Sequence, residues 1–201
     1  MHPPPTKRGE ERRAAILEAA QRCFRRNGFH SASIASICKE AGISPGHLYH
    51  FFPSKEAIVE AIVEGDRERM KAAVAEIAAQ PDLIKALVHA LELIDSESGF
   101  AFDNVLSAEI VAEAARNPRV SEILGRFDTD ARAEFGRLLS LGKDTGQVRH
   151  DLDVEAMAGV LLVIMDGLGA RAISDPQGSR RALYPLLGAM LKQRLAPDPV
   201  N

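Results

Sequence analysis

The chain has 201 residues, of which 46% are hydrophobic and 26% charged, and a formal net charge of −3. That length supports one or two compact units, and that balance excludes a disordered chain. The charge is uneven: residues 1–55 hold nine lysines and arginines against four acids, and the remainder holds 16 against 24. A basic first quarter on an acidic body points to local contact with a polyanion.

The opening stretch, MHPPPTKRGEERR, has no apolar core and is not expected to be a signal peptide. A first helix is expected from Glu10 to Asn27, with Ile16, Ala20, Cys23 and Phe24 on one face and Gly28 as its stop. Arg8, Arg12 and Arg13 form either a flexible arm or a solvated basic face. Ser33 caps a short second helix with Ile34, Ile37 and Cys38 inward, ending near Ala41. Gly42 makes the turn. Ser44 caps a third helix with Pro45 at its first position, where a missing N–H costs nothing. That helix ends near His50 or Phe51, before Pro53. Ser54 caps a long fourth helix running to about Ala79, with Ile58 and Ile62 inward.

Five more helices are expected behind these. They run over Asp82–Glu97, Phe100–Arg116, Asn117 to about Lys143, Asp153–Ile173 and Ser179–Leu195, with residues 174–178 as a turn. No run alternates as a strand does, so the fold is expected to be all-α with about nine helices. The long apolar stretch Ala156–Ile173 contains Asp166 and Arg171 and is not read as membrane-spanning. Cys23 and Cys38 form no CxxC pair and no zinc spacing with the histidines; they read as small buried hydrophobes. No metal and no cofactor are expected, and the location is expected to be cytoplasmic.

The densest signal is SIASICKEAGISPGHLYHFFPSKE, residues 33–56. Two short helices around a glycine turn make a helix-turn-helix, in which the second helix enters the major groove. Gly42 supplies the turn, and Ile34, Ile37, Ile43 and Leu48 fix the angle. The outer face must be small or polar to enter a groove. Ser44, Gly46, His47 and His50 meet that need, and Tyr49 offers a hydroxyl on a flat ring.

This segment resembles the TetR-type one-component regulators. The residues that carry the resemblance are Ile16-Leu17, Ala19-Ala20, Phe24 and Gly28, then Ser33-Ile34, Ile37, Ala41-Gly42-Ile43-Ser44, Gly46, Leu48-Tyr49, Phe52 and Ser54-Lys55-Glu56. The resemblance implies that Tyr49 and Lys55 contact phosphates and that Ser33 meets the DNA backbone. It implies that Pro45, Gly46 and His47 face base edges, with His50 adding a phosphate or base contact. The weaker alternatives from the residues alone are that Tyr49 is a core aromatic and Lys55 an ordinary lysine at a helix start. Ala32 and Phe51 depart from the family pattern, each removing a hydroxyl or ring nitrogen that would reach a phosphate.

The resemblance implies a DNA-binding domain over 1–56 and an effector-binding and dimerisation domain over 57–201. It implies a double-stranded DNA operator, a small-molecule effector and a homodimer through the last two helices. The sequence supports the dimer independently. The helix Asp153–Ile173 is apolar almost all round, which requires burial on every side. For the effector cavity, polar groups on apolar faces are His89, Asp103, Asn104, Glu109 and Asp166, with Phe100, Phe102 and Phe127 as walls. A carboxylate at Glu109 or Asp166 facing a cavity favours a cationic or amine-bearing ligand, because a buried carboxylate needs a partner. An enzyme is not expected: there is no nucleophile–base pair, no phosphate-binding glycine loop and no HExxH. The remaining alternative is a helical interaction protein of the same fold that has lost specific DNA binding.

Overall fold

A computed structural model describes residues 7–92, 103–175 and 180–197. Among them are nine helices and no strand: α1 (Lys7–Ser31), α2 (Ile34–Ala41), α3 (Pro45–Phe51), α4 (Lys55–Ala78), α5 (Leu83–Glu92), α6 (Asn104–Ala114), α7 (Pro118–Asp144), α8 (Val154–Ser174) and α9 (Arg180–Leu195). The all-α expectation holds. The expected extension from Glu92 to Glu97, the start at Phe100, and residues 176–178 of the turn lie outside the described residues.

The helix starts follow from side chains that satisfy the first free amides. Ser33 Oγ accepts from the Ser36 amide at 3.0 Å and Ser44 Oγ from the His47 amide at 3.3 Å. Ser54 Oγ accepts from Ala57 at 3.1 Å, and Asp153 Oδ1 from Ala156 at 3.0 Å.

α1 departs from expectation at its start. It begins at Lys7, so Arg8, Arg12 and Arg13 stand on a helix and not in a flexible arm. At its other end Gly28 interrupts the helix as expected, with non-helical φ 76° and ψ 159°, and a short further helical stretch runs through Ser31. This backbone region is essentially closed to residues with a side chain.

Two compact units result, and they do not divide at residue 56. The first joins Met1–Gly65 with Val105–Gly125; the second joins Asp66–Asn104 with Arg126–Asn201. Long-range polar contacts explain the first grouping. Buried Glu113 of α6 accepts from Arg116 Nε at 2.9 Å and from Asn117 Nδ2 at 3.4 Å. Asn117 Nδ2 also donates to Glu56 Oε1 of α4 at 3.2 Å, and Arg119 reaches Glu60. Leu106 and Ile110 are buried alongside.

The second unit is centred on one apolar cluster, which includes Met70, Leu87, Phe135, Leu139, Leu161 and Leu191. α8 is the one helix among the described residues long and apolar enough to cross a membrane. Its inner side, Met157, Ala158, Leu161, Leu162 and Leu168, belongs to this core.

The kink yields a test. A Cβ built on Gly28 would lie 3.0 Å from Glu109 Oε2, on top of the unfavourable backbone angles. Gly28→Ala is expected to lower stability by about 1–3 kcal/mol in urea unfolding. An unchanged midpoint and slope would show that the kink relaxes freely.

Candidate nucleic-acid interface

α2 and α3 are joined by Gly42, which sits in the left-handed region at φ 64°, ψ 38° and donates its N–H toward Cys38 and Lys39. The Ile43 amide closes the turn on Cys38 O at 3.0 Å. Ile37, Cys38 and Leu48 are buried in the angle, and Ile34 and Ile43 are half-buried. This is the left-handed cap that lets one helix end and a second start at a steep angle.

α3 buries one side chain fully, Leu48. Ser44, Pro45, Gly46, His47, Tyr49 and His50 are all exposed, and Ser33 is exposed at the start of α2. Tyr49 is 51% exposed, so it is not a core aromatic. Nothing lies within 4 Å of where a Gly46 Cβ would be. Packing within the chain therefore does not demand a glycine there. The structure thus exposes seven of the eight expected DNA-binding residues, six of them on α3 and its cap and Ser33 at the start of α2.

Lys55 stands apart from them. Its Nζ donates to the carbonyl oxygens of Phe29 at 2.7 Å, Ala32 at 3.0 Å and His30 at 3.4 Å, and lies 4.3 Å from the centre of the Phe29 ring. All three ammonium protons are engaged, which leaves none for a phosphate. Burial pulls its pKa below the usual lysine range, against the opposing pull of Glu113 and Glu56. Ala32 is fully buried.

The basic surface is also partly neutralised. Arg22 Nε and Arg26 Nη2 donate to the Glu40 carboxylate at 2.9 and 3.2 Å, and hold its pKa below the usual range. Arg8 and Arg12 remain exposed on α1 and Lys39 on α2, and Arg13 lies 5.0 Å from the centre of the Phe52 ring.

The expected effector residues do not form one group. Glu109 belongs to the first unit and accepts from the Phe29 amide at 3.4 Å; it braces the α1 kink. Asp103, Asn104, Phe127, Asp166 and His89 belong to the second unit, and Phe100 and Phe102 lie outside the described residues. His89 is exposed, and Phe127 packs against the apolar core. Asn104 Oδ1 would lie 2.9 Å from a Cβ on Gly169 of α8. The Asp166 carboxyl is pushed up by partial burial and by Asp128. A groove of about 490 Å³ between α5 and α9, lined by Lys85, Val88, Tyr184 and Lys192 among others, contains none of them. Among the described residues no three His, Cys, Asp or Glu side chains are placed to hold a metal ion.

One polar residue of the body escaped the sequence reading. Asp66 sits in the run DRER on α4, which looks like a solvated face, yet its side chain is only 15% exposed and pairs with Arg69. Burial first, and then Asp103, push its pKa from 3.8 to about 6, against Arg69. Only the packing around α4 reveals it.

A basic helix-turn-helix with an outward small-and-polar second helix, on an all-helical body, defines a DNA-binding transcriptional regulator. Residues 16–62 match the family described as bacterial regulatory proteins, tetR family, and residues 99–196 match the C-terminal part of BetI-type transcriptional repressors. The HTH-type transcriptional regulator UidR of Escherichia coli is 34% identical over 186 residues, covering 88% of this chain and 93% of that protein. Salmonella enterica GusR has the same fold at a TM-score of 0.81 and 34% identity, over 92% of this chain and 95% of that one. A transcriptional regulator of Saccharomonospora viridis in complex with choline shares the fold at a TM-score of 0.75 and 24% identity, over 93% of this chain and 98% of that one. The chain belongs to the TetR family, whose members bind DNA operators and small-molecule effectors, and it is a regulator and not an enzyme.

Two tests follow from this geometry. Lys55→Met is expected to cost about 1–3 kcal/mol of stability, because three carbonyls lose their donor. The salt dependence of DNA binding should stay as in the wild type; a slope smaller by about one unit would return Lys55 to a phosphate contact. Asp66 is easier to protonate folded than unfolded. Its contribution to stability is therefore full below pH 3.8 and is lost as the pH rises through about 6. Asp66→Asn removes that loss, which amounts to roughly 2–3 kcal/mol. Parallel pH profiles of unfolding for the two proteins between pH 4 and 7 would show that Asp66 titrates normally.

Proposed function

We propose that this protein is a homodimeric cytoplasmic repressor that holds a roughly palindromic operator and is released from it by a small organic effector. The outward face of α3 carries this reading. Pro45, Gly46 and His47 face base edges, Tyr49 and Ser33 meet phosphates, Ser44 caps the helix at the groove, and His50 adds a base or phosphate contact. Arg8, Arg12 and Lys39 supply the remaining positive charge. Soluble regulators of this family are cytoplasmic, and a DNA partner requires that location. No membrane partner is part of this reading.

The dimer rests on exposed apolar side chains of the last two helices. Val160 and Val163 of α8 are 47% and 68% exposed, and Leu186 and Met190 of α9 are 60% and 56% exposed. Val160, Val163, Gly167 and Ala170 recur at helical spacing, so they form one stripe. Leu161, in contrast, is fully buried in its own core. Facing copies bring two α3 helices about 34–36 Å apart, one turn of DNA, which makes the operator palindromic. The effector then works by favouring another separation, and only by its differential affinity for the two states.

The effector belongs to the second unit, among Asp103, Asn104, Phe127 and Asp166. Asp66, Asp103 and Asp166 make that unit rich in carboxylates held near one another or partly buried, which favours a cationic or amine-bearing ligand. The fold shared with a choline-bound regulator is compatible with this chemistry.

The test joins assembly to DNA binding. Light scattering should give a dimer for the wild type and a folded monomer for Val163→Glu/Leu186→Glu. In mobility shifts on the DNA upstream of its own gene, the monomer should lose specific binding while random DNA is bound weakly by both. A double variant that stays dimeric, or a selected consensus without two-fold symmetry, would overturn the reading.

A further inference from the structure

The recognition helix carries an aromatic cluster that the contacts described so far leave unused. Phe51 closes α3, half-buried, and its ring touches both outward histidines. The His47 and Phe51 ring centres are 5.5 Å apart with planes tilted by 39°. The His50 and Phe51 centres are 5.2 Å apart, edge to face at 82°. Both arrangements suit the charge distribution of aromatic rings. No hydrogen bond or ion pair engages either imidazole among the described residues, and both are exposed. The phenyl ring is thus a contact that restricts how they turn. The backbone at Phe51 is anchored by the next residue, Phe52, which is buried with Arg13 against its ring.

A freely turning imidazole must be immobilised when it meets a base edge, and that ordering opposes binding. An imidazole already leaning on a ring has less freedom to lose. The saving applies only where the imidazole makes an oriented contact, so it separates the right sequence from random DNA and does not strengthen all binding equally. A phenyl ring has no hydrogen-bonding group and no charge, so it adds nothing to the phosphate term.

We propose that Phe51 is a positioning residue for sequence readout: its ring pre-orients His47 and His50, and it sets the specificity of the regulator without touching a base. The inference rests on reading those two histidines as groove-facing.

The experiment uses the full-length protein, its selected operator and a random duplex of equal length. Phe51→Leu keeps apolar volume at the end of α3 and removes the ring; Phe51→Tyr keeps the ring. Phe51→Leu is expected to lower the operator-to-random affinity ratio by about fivefold. The salt slope should not change, and Phe51→Tyr should keep the wild-type ratio. In a His47→Ala/His50→Ala background, Phe51→Leu should change the ratio by less than about twofold, because the groups it positions are gone. Circular dichroism confirms that each variant is folded. An unchanged ratio in Phe51→Leu overturns the proposal, and so does an equal loss with and without the histidines. If the double alanine variant already has the wild-type ratio, the groove-facing reading of the histidines fails and the proposal fails with it. If only Phe51→Leu is silent, that reading stands and the proposal alone falls.

Discussion

Lys55 opens α4 and sets its ammonium on the carbonyl oxygens of Phe29, His30 and Ala32. Two of those carbonyls belong to the end of α1, where a helix leaves its acceptors unsatisfied, and the third to the residue just after it. The Gly28 kink turns that end toward the lysine, and Glu109 accepts the Phe29 amide beside it. A cation on the carbonyl side and an anion on the amide side of one short segment complete its hydrogen bonding. The ends of α1, the start of α2, the start of α4 and the middle of α6 are held together at this point. The angle between α2 and α3 is then set against a fixed frame, which is what an oriented DNA contact requires.

The division of labour in the first unit follows from that frame. α1 and α4 supply buried surface through Ile16, Phe24, Ile58 and Val59, and α3 keeps a single anchor, Leu48. A helix that buries only one side chain fully leaves almost its whole outer face for a partner. Its stability comes from the Ser44 cap, the Gly42 turn and Leu48, none of which restricts what the outer face displays. The exposed positions Pro45, Gly46, His47 and His50 can therefore change with little cost to the fold.

The second unit shows the opposite arrangement. α8 and α9 bury one side and expose another that is also apolar, from Val160 and Val163 to Leu186 and Met190. Such surface is unfavourable in water, and the proposed dimer would remove it. Two carboxylates of this unit are held above the usual range, Asp66 by burial with its pKa near 6 and Asp166 by burial and by Asp128. Two features that are unfavourable in an isolated chain, an apolar face and crowded acids, are the features a dimer and a cationic ligand would relieve.

The helix-turn-helix was legible in the sequence because local signals place it. Ser33, Gly42, Ser44, Pro45 and Ser54 mark starts and turns by chemistry that acts within four residues, and helical periodicity does the rest. The nine helices and the exposed face of α3 follow from such signals. What acts between residues far apart in the chain was not legible. Lys55 pairs across 26 residues with Phe29, and Glu109 across 80; both look from the sequence like surface charges free to meet a ligand. The same holds for Asp66, a largely shielded acid inside a charged run, and for Ala32, whose burial only the packing shows. On α8 the periodicity showed an apolar helix without saying which side faced the core, because Leu161 and Val163 are equally hydrophobic. Composition and caps decide what a segment is; which partner a side chain finds depends on distances that only the folded chain sets.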